Sequence, residues 1–319
     1  MPERPRIVVF AHIPPPTHGQ SLMVERLLGV LHEKGSENFE CIHVNARLSD
    51  TGADVGNIRV GKFFALIRHV FSALRAWRKG AILYYVPAPV KRSALLRDWI
   101  ALGVLRLFYR NVVFHWHAVG LGNWVTASEG GIRAQLSRRI TKLTHGGVKM
   151  SWSLAETNRA DAKHLHPQAI RILPNGIPDP VAGFESVLAA REQRLHVRSS
   201  EESCEVNLLF CSLCSREKGV FHALTVADQL AKNHPEWRVK LTIAGGFPND
   251  ETKVAFEKQI TETSLVEVKL AGFLDEAGLR EPFKNTDALV FPTQYPAEAQ
   301  PLVAMESLAW GLPVAATMR

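Results

Sequence analysis

Short apolar segments alternate with longer helical stretches along the whole chain, and this alternation limits the fold more than any other feature. Arg6-Ile7-Val8-Val9-Phe10-Ala11 is the first such segment; Cys41–Val44, Ala81–Val86 and Asn111–His117 follow. Helices are predicted from Leu22 to His32 with Ser21 as N-cap, after Gly61, and from Ser93. A second series opens at Val206–Cys211 and continues through a helix over Val220–Asn233, Val239–Ala244, a helix from Glu251, Val266–Leu270 and Ala288–Phe291. It closes on a helix and the segment Pro313–Thr317. Strands in strict alternation with helices imply parallel, doubly wound sheets. A chain of 319 residues has room for two such domains. We place them at 1–180 and 205–319, joined by the charge-mixed stretch 181–204. In such sheets ligands sit outside the carboxyl ends of the strands, where the loops His12–Gly19 and His117–Gly122 fall.

The last helix carries the most chemistry. Pro301 stands where it opens and Gly311 where it stops, so the spacing predicts a helix over 301–310 with proline at its first position. Gln300, Leu302 and Val303 then offer backbone N–H groups without helical partners, and the helix dipole adds partial positive charge. That combination takes an anion, phosphate above all. Glu298 and Glu306 stand on either side of the helix start. Carboxylates beside a phosphate repel it unless they accept hydrogen bonds from hydroxyls, as an ionised carboxylate does from a vicinal diol. A nucleotide sugar has phosphates and diols in this relation. The alternative is structural, with Glu298 capping the helix and Glu306 on a solvated face.

The segment EAQPLVAMESLAWGLPVAAT resembles the E-x7-E signature of the GT-B glycosyltransferases of family 4, which retain configuration and use nucleotide sugars. The resemblance implies that Glu298 binds the sugar hydroxyls and Glu306 the ribose diol. His117, at the end of VVFHWHAVG, resembles the family histidine that touches the donor sugar; His115 does not hold that place. Lys218-Gly219 resembles the family K-G whose lysine binds the diphosphate. The family arginine lies five residues earlier, where this chain has Leu213, and Arg216 is the candidate substitute. Phe273, after Gly272, resembles the position whose backbone meets the nucleobase. The loop PPPTHGQS stands where the family has a glycine-rich loop between donor phosphates and acceptor, and only Gly19 remains, beside His18. Ile172–Ile177 resembles a further landmark; its Asn175-Gly176 pair reads as a turn through positive φ. The implied fold is GT-B, two Rossmann-like parallel-sheet domains facing a cleft, the second incomplete because the family chain continues past the position of Arg319. The implied activity is retaining sugar transfer from a UDP- or GDP-linked donor to a glycan or lipid-linked acceptor in surface polysaccharide biosynthesis. The competing expectation is a truncated, inactive remnant that binds nucleotide or acts as a scaffold.

Charge and composition narrow the partners. Residues 1–178 hold 24 Lys and Arg against 11 Asp and Glu, a net +13; the remainder holds 14 against 20, a net −6. Such asymmetry points one half at an anionic partner. No nucleic-acid signature is present, so a nucleic-acid partner is not expected. The stretches Lys62–Lys79 and Leu95–Arg110 read as helices with basic edges, either core-facing or lying on a membrane surface. No D-x-D pair or metal-ligand spacing occurs, so neither metal nor cofactor is expected. Cys211-x-x-Cys214 ends an apolar strand and reads as buried free thiols. Four cysteines without a framework, no secretory leader and no bilayer-length apolar run suggest a cytoplasmic protein, peripheral at the inner membrane face at most.

Overall fold

The computed structural model describes residues 4–35, 37–48, 60–179, 184–198 and 204–318. They form two compact units, Met1–Gly176 with Pro296–Gln300, and Ile177–Tyr295 with Pro301–Arg319. The ends of the stretch read above as a linker, 181–183 and 199–203, lie outside the described residues. Its middle is a helix of the second unit.

The first unit is built on β1 (Arg6–Ala11), β2 (Glu40–Asn45), β3 (Ile82–Tyr85), β4 (Asn111–Trp116), β5 (Met150–Ser153) and β6 (Ile170–Ile172). All pair in parallel in the order β2-β1-β3-β4-β5-β6. Consecutive strand residues alternate between faces, and in β1, β3 and β4 both faces are largely buried. Val8 and Phe10 join a core with Leu66, Val70 and Ala73 of α2 (Val60–Ala76) and with Leu102 and Leu105 of α3 (Arg92–Phe108). Val9 and Ala11 face the other way, onto Val24 and Leu28 of α1 (Gly19–Gly35). The described residues of the unit also form α4 (Leu121–Thr126), α5 (Ile132–His145) and α6 (Arg159–Lys163).

Behind α3 lies a buried polar knot. Asp98 has no exposed surface; it accepts from Tyr85 Oη at 2.7 Å, Ala88 N at 2.7 Å and Arg97 Nη2 at 2.7 Å, and meets His145 Nε2 at 3.2 Å. Burial pushes its carboxyl up, but Arg97 and His145 outweigh that and hold it down at about 2.

The second unit begins with α7 (Phe184–Arg198) and is built on β7 (Cys204–Cys211), β8 (Trp237–Ala244), β9 (Val266–Gly272), β10 (Ala288–Phe291) and β11 (Val314–Ala316). The parallel order is β11-β10-β7-β8-β9. Leu208 and Phe210 pack on Ala223, Leu224 and Ala227 of α8 (Val220–Asn233) and on Phe256 of α9 (Asp250–Glu262). Leu209, Leu289 and Phe291 pack on the opposite side against Phe283 of α10 (Glu276–Asn285) and Trp310, just past α11 (Leu302–Ala309). Arg191 of α7 is buried here and donates to the carbonyls of Gly311 and Phe283, both at 2.7 Å. The doubly wound parallel sheets expected from the alternation are present in both units.

Candidate functional site

In the second sheet the chain runs from β7 outward through β8 and β9, then returns to the other side of β7 as β10. The strand order reverses between β7 and β10, and such a switch point is where open parallel sheets bind ligands. Two loops meet there. Gly219 caps α8 with φ 87°, and a Cβ on it would lie 2.2 Å from the carbonyl oxygen of Pro292. Only glycine lets the two backbones approach this closely. Gln294 N donates to Glu217 O at 2.7 Å across the same junction. Lys218 is thereby set with its ammonium 4.6 Å from the ring centroid of Tyr295. Arg216 goes elsewhere: its guanidinium stacks on Phe221 of α8 at 4.0 Å. Leu213 is half exposed.

The helix after β10 is shorter at both ends than the predicted 301–310. Pro301 keeps φ −71° but has ψ 122°, so it is the residue before the helix rather than its first residue. The first-turn donors are therefore Leu302, Val303 and Ala304, and the cap residue Pro301 has no side-chain group to serve them. The helix ends as expected, with Gly311 at φ 65°. Glu306 lies half-buried close to Cys211 at the end of β7; burial, this carboxylate and Cys214 push the Cys211 thiol up to about 12. Phe273 is exposed just beyond β9, after a left-handed Gly272.

The remaining candidates belong to the first unit. Pro296–Gln300 packs there through three anchors. Val119 N donates to Ala297 O at 3.4 Å, Asn158 Nδ2 to Ala299 O at 3.5 Å, and Asn175 to Gln300. That last contact is double: the Asn175 backbone N–H donates to Gln300 Oε1 at 2.7 Å and its Nδ2 to Gln300 O at 2.9 Å. Neither Asn175 nor Gly176 has a positive φ. The pair is thus not the left-handed turn the sequence suggests, and Asn175 instead clamps a segment 125 residues away. Glu298 sits half-buried in this segment, one residue beyond the contact with Val119.

His117 directly follows β4, and its Nε2 is buried without a hydrogen-bond partner among the described residues. Burial, with His115 and His18 nearby, pushes it well below the ordinary imidazole range, so it is neutral at physiological pH. His115, whose ring lies 4.2 Å away, is satisfied: Tyr84 Oη and the Leu173 carbonyl hold its two nitrogens at 2.8 and 3.4 Å.

His18 has a role the sequence did not suggest. The helix begins at Gly19, three residues earlier than predicted, and His18, not Ser21, is the cap. Ser21 N donates to His18 Nδ1 at 3.3 Å, and His18 N donates to Ser21 Oγ at 3.1 Å, a reciprocal capping box. With Nδ1 accepting, Nε2 carries the proton and donates to His12 Nε2 at 2.8 Å. Burial, His18 and Arg97 push His12 down to about 4. Gly19 is the first helical residue rather than a sharp turn. Between the carboxyl ends of β1 and β3, the switch point of the first sheet, His12, Gln20 and Arg97 line a small polar recess.

Among the described residues, no group of three or more His, Cys, Asp or Glu side chains is placed to hold a metal ion. No helix among them is long and apolar enough to cross a membrane.

Residues 193–318 match the family model described as Glycosyl transferases group 1. None of the curated proteins matches the chain. Similar solved structures include a sucrose-phosphate synthase from Thermosynechococcus elongatus, 18% identical, covering 98% of this chain and 81% of that one, with a TM-score of 0.64. WaaG, a glycosyltransferase involved in lipopolysaccharide biosynthesis, is 18% identical over 98% of this chain and 80% of its own, with a TM-score of 0.58. Anabaena Alr3699/HepE, in complex with UDP-glucose, is 14% identical over 97% and 80%, with a TM-score of 0.57. These likenesses show the fold, two parallel-sheet domains of the GT-B kind.

Proposed function

We propose that the protein transfers a sugar from a nucleoside-diphosphate sugar to a hydroxyl acceptor, retaining the configuration of the anomeric carbon. The observation that carries this is the switch point of the second sheet. There Gly219 and Pro292 bring the Lys218 turn against the loop after β10, and the Glu306 carboxylate lies close to the end of β7. An ammonium, a run of first-turn N–H groups and a carboxylate suit a diphosphate and a diol. The helix terminus supplies about 0.3–1 kcal/mol, whereas a cation about 4 Å from a phosphate oxygen supplies roughly 4 kcal/mol at an effective dielectric near 20. Lys218 is therefore the principal diphosphate ligand, with Leu302 and Val303 N–H groups beside it. Phe273 meets the base and Glu306 accepts from the ribose hydroxyls. Gln300, held on Asn175, positions the segment that bears Glu298.

In the reaction the anomeric C–O bond to the β-phosphate breaks and a bond to the acceptor oxygen forms on the same face. The acceptor proton passes to the departing phosphate oxygen, so no protein nucleophile takes part. Positive charge held on the leaving diphosphate lowers this barrier, because donors fixed in advance need no reorganisation. Neutral His117 donates to or accepts from a sugar hydroxyl, and Glu298 accepts from the others. The first unit, with its polar recess beside His12 and the His18–Gly19 helix start, takes the acceptor, a glycan or lipid-linked sugar of a surface polysaccharide. No metal step is included, since the chain has no D-x-D pair.

A second reading is nucleotide binding without transfer. It is favoured by Leu213 at the place of the family arginine and by Arg216 lying on Phe221. A panel of UDP-, GDP- and ADP-sugars separates the two. A donor at about 100 times its Kd adds roughly 2.7 kcal/mol of stability. Stabilisation followed by nucleotide release with lipid-linked or glycan acceptors supports transfer. Stabilisation with no release under any acceptor supports binding alone, and no stabilisation by any of the panel refutes both.

A further inference from the structure

Helix α2 has two apolar faces. With about 100° between successive residues, Leu66, Val70 and Ala73 turn into the core, and Phe64, Ile67 and Phe71 fall on the opposite side. These three are 66%, 43% and 58% exposed. A helix that merely covers a core carries polar groups there. Arg68 and Arg75 flank the stripe, and the Arg75 guanidinium lies 5.7 Å from the Phe71 ring centroid. The apolar surface continues beyond the helix. Trp77 meets Phe108 edge-on at 5.9 Å and donates its indole N–H to the Phe108 carbonyl at 2.9 Å, with exposed Leu107 alongside. Arg106 donates to the Leu143 and Thr144 carbonyls, which brings the end of α5 to the end of α3.

Charge identifies the occupant. Residues 60–110 contain ten Lys and Arg and a single acid, Asp98, which is buried and bound to Arg97. Helix α5 adds four cations and no acid. A second copy of this surface would oppose like charges across a two-fold interface. Arg78 pairs with Glu40 of β2, but the helices of this face show no exposed acid, and rings on such a cationic face match a lipid interface, where aromatic side chains enter the acyl boundary and arginines meet lipid phosphates. We propose that α2, with the adjoining ends of α3 and α5, docks the first unit on an anionic lipid bilayer. This goes beyond the transfer reaction and does not depend on it.

The test is co-sedimentation of the full chain with vesicles of phosphatidylcholine alone and of phosphatidylcholine with equimolar phosphatidylglycerol. Binding is expected to the anionic vesicles and to be weak on the neutral ones. Phe64→Ser combined with Phe71→Ser is expected to lower partitioning about tenfold. Arg68→Gln and Arg75→Gln should each lower it about fivefold. All four side chains are exposed, so the variants should keep the wild-type melting temperature and circular dichroism. The proposal is overturned by absence of binding to anionic vesicles, by equal binding to both kinds, or by binding indifferent to the substitutions. It is equally overturned if the double phenylalanine variant converts a dimer to a monomer without vesicles having bound either form.

Discussion

Gly219→Ala should dismantle the junction that sets Lys218. The alanine must adopt φ near 87°, a left-handed conformation that costs an L residue about 1–2 kcal/mol. Its Cβ would also lie 2.2 Å from a backbone oxygen, that of Pro292, which no rotamer change relieves. The two loops must therefore separate by about 1 Å, and the Gln294–Glu217 hydrogen bond between them, worth about 1 kcal/mol, is lost. The sum is about 2–3 kcal/mol, or roughly 4–12 °C in the melting transition of the second unit. Scanning calorimetry of the full chain reads the loss, and nucleotide titration should show weaker binding as Lys218 moves. Gly246→Ala is the control. Nothing lies within 4 Å of its Cβ position and its φ is not positive, so it should change stability by no more than about 0.5 kcal/mol. A Gly219→Ala protein that melts with the wild type and binds nucleotide equally well would refute the account of the junction.

Gln300→Ala removes the acceptor of the buried Asn175 N–H and should cost about 1–3 kcal/mol; hydrogen exchange at the Asn175 amide should speed up while amides of the second sheet stay protected. Asp98→Asn leaves the Arg97 charge uncompensated behind α3 and should cost about 3–5 kcal/mol in urea unfolding. The folded pKa of Asp98 is depressed, so its stabilisation is fully present above the unfolded carboxyl value of about 4 and is lost as pH falls towards 2. An acid titration of stability should fall through that window in the wild type and be flatter in Asp98→Asn. Cys211 should resist alkylation at pH 8, and Glu306→Gln should make it react faster, because one of the groups raising its thiol pKa is removed.

Local rules reached most of the fold. The paired burial of Val8 with Val9, and of Leu208 with Leu209, follows from near-continuous apolar runs that only a two-faced parallel strand explains. The helix after β10 was readable from Pro301 and Gly311 to within one residue at each end. Contacts distant in sequence left no such trace. Asn175 and Gln300 meet across 125 residues, and a sequence shows Asn-Gly as a turn, not as a clamp. The start of α1 was misplaced because Ser21 is a good N-cap in isolation, whereas here its hydroxyl reaches back to serve His18. Arg216 and Lys218 are equivalent as charges in a turn; only the three-dimensional neighbours, Phe221 for one and Tyr295 for the other, tell them apart. The outward rings of α2 were legible as hydrophobic but not as exposed, because amphipathic spacing does not reveal that a helix has a second apolar face.

The most direct test compares the wild type with Lys218→Ala in calorimetric titrations with UDP, GDP and ADP. One of the three should bind the wild type in the micromolar range, and the substitution should weaken it at least about tenfold, or roughly 1.4 kcal/mol, with melting unchanged. Equal affinity in the two proteins, or no binding of any nucleoside diphosphate to the wild type, would contradict this.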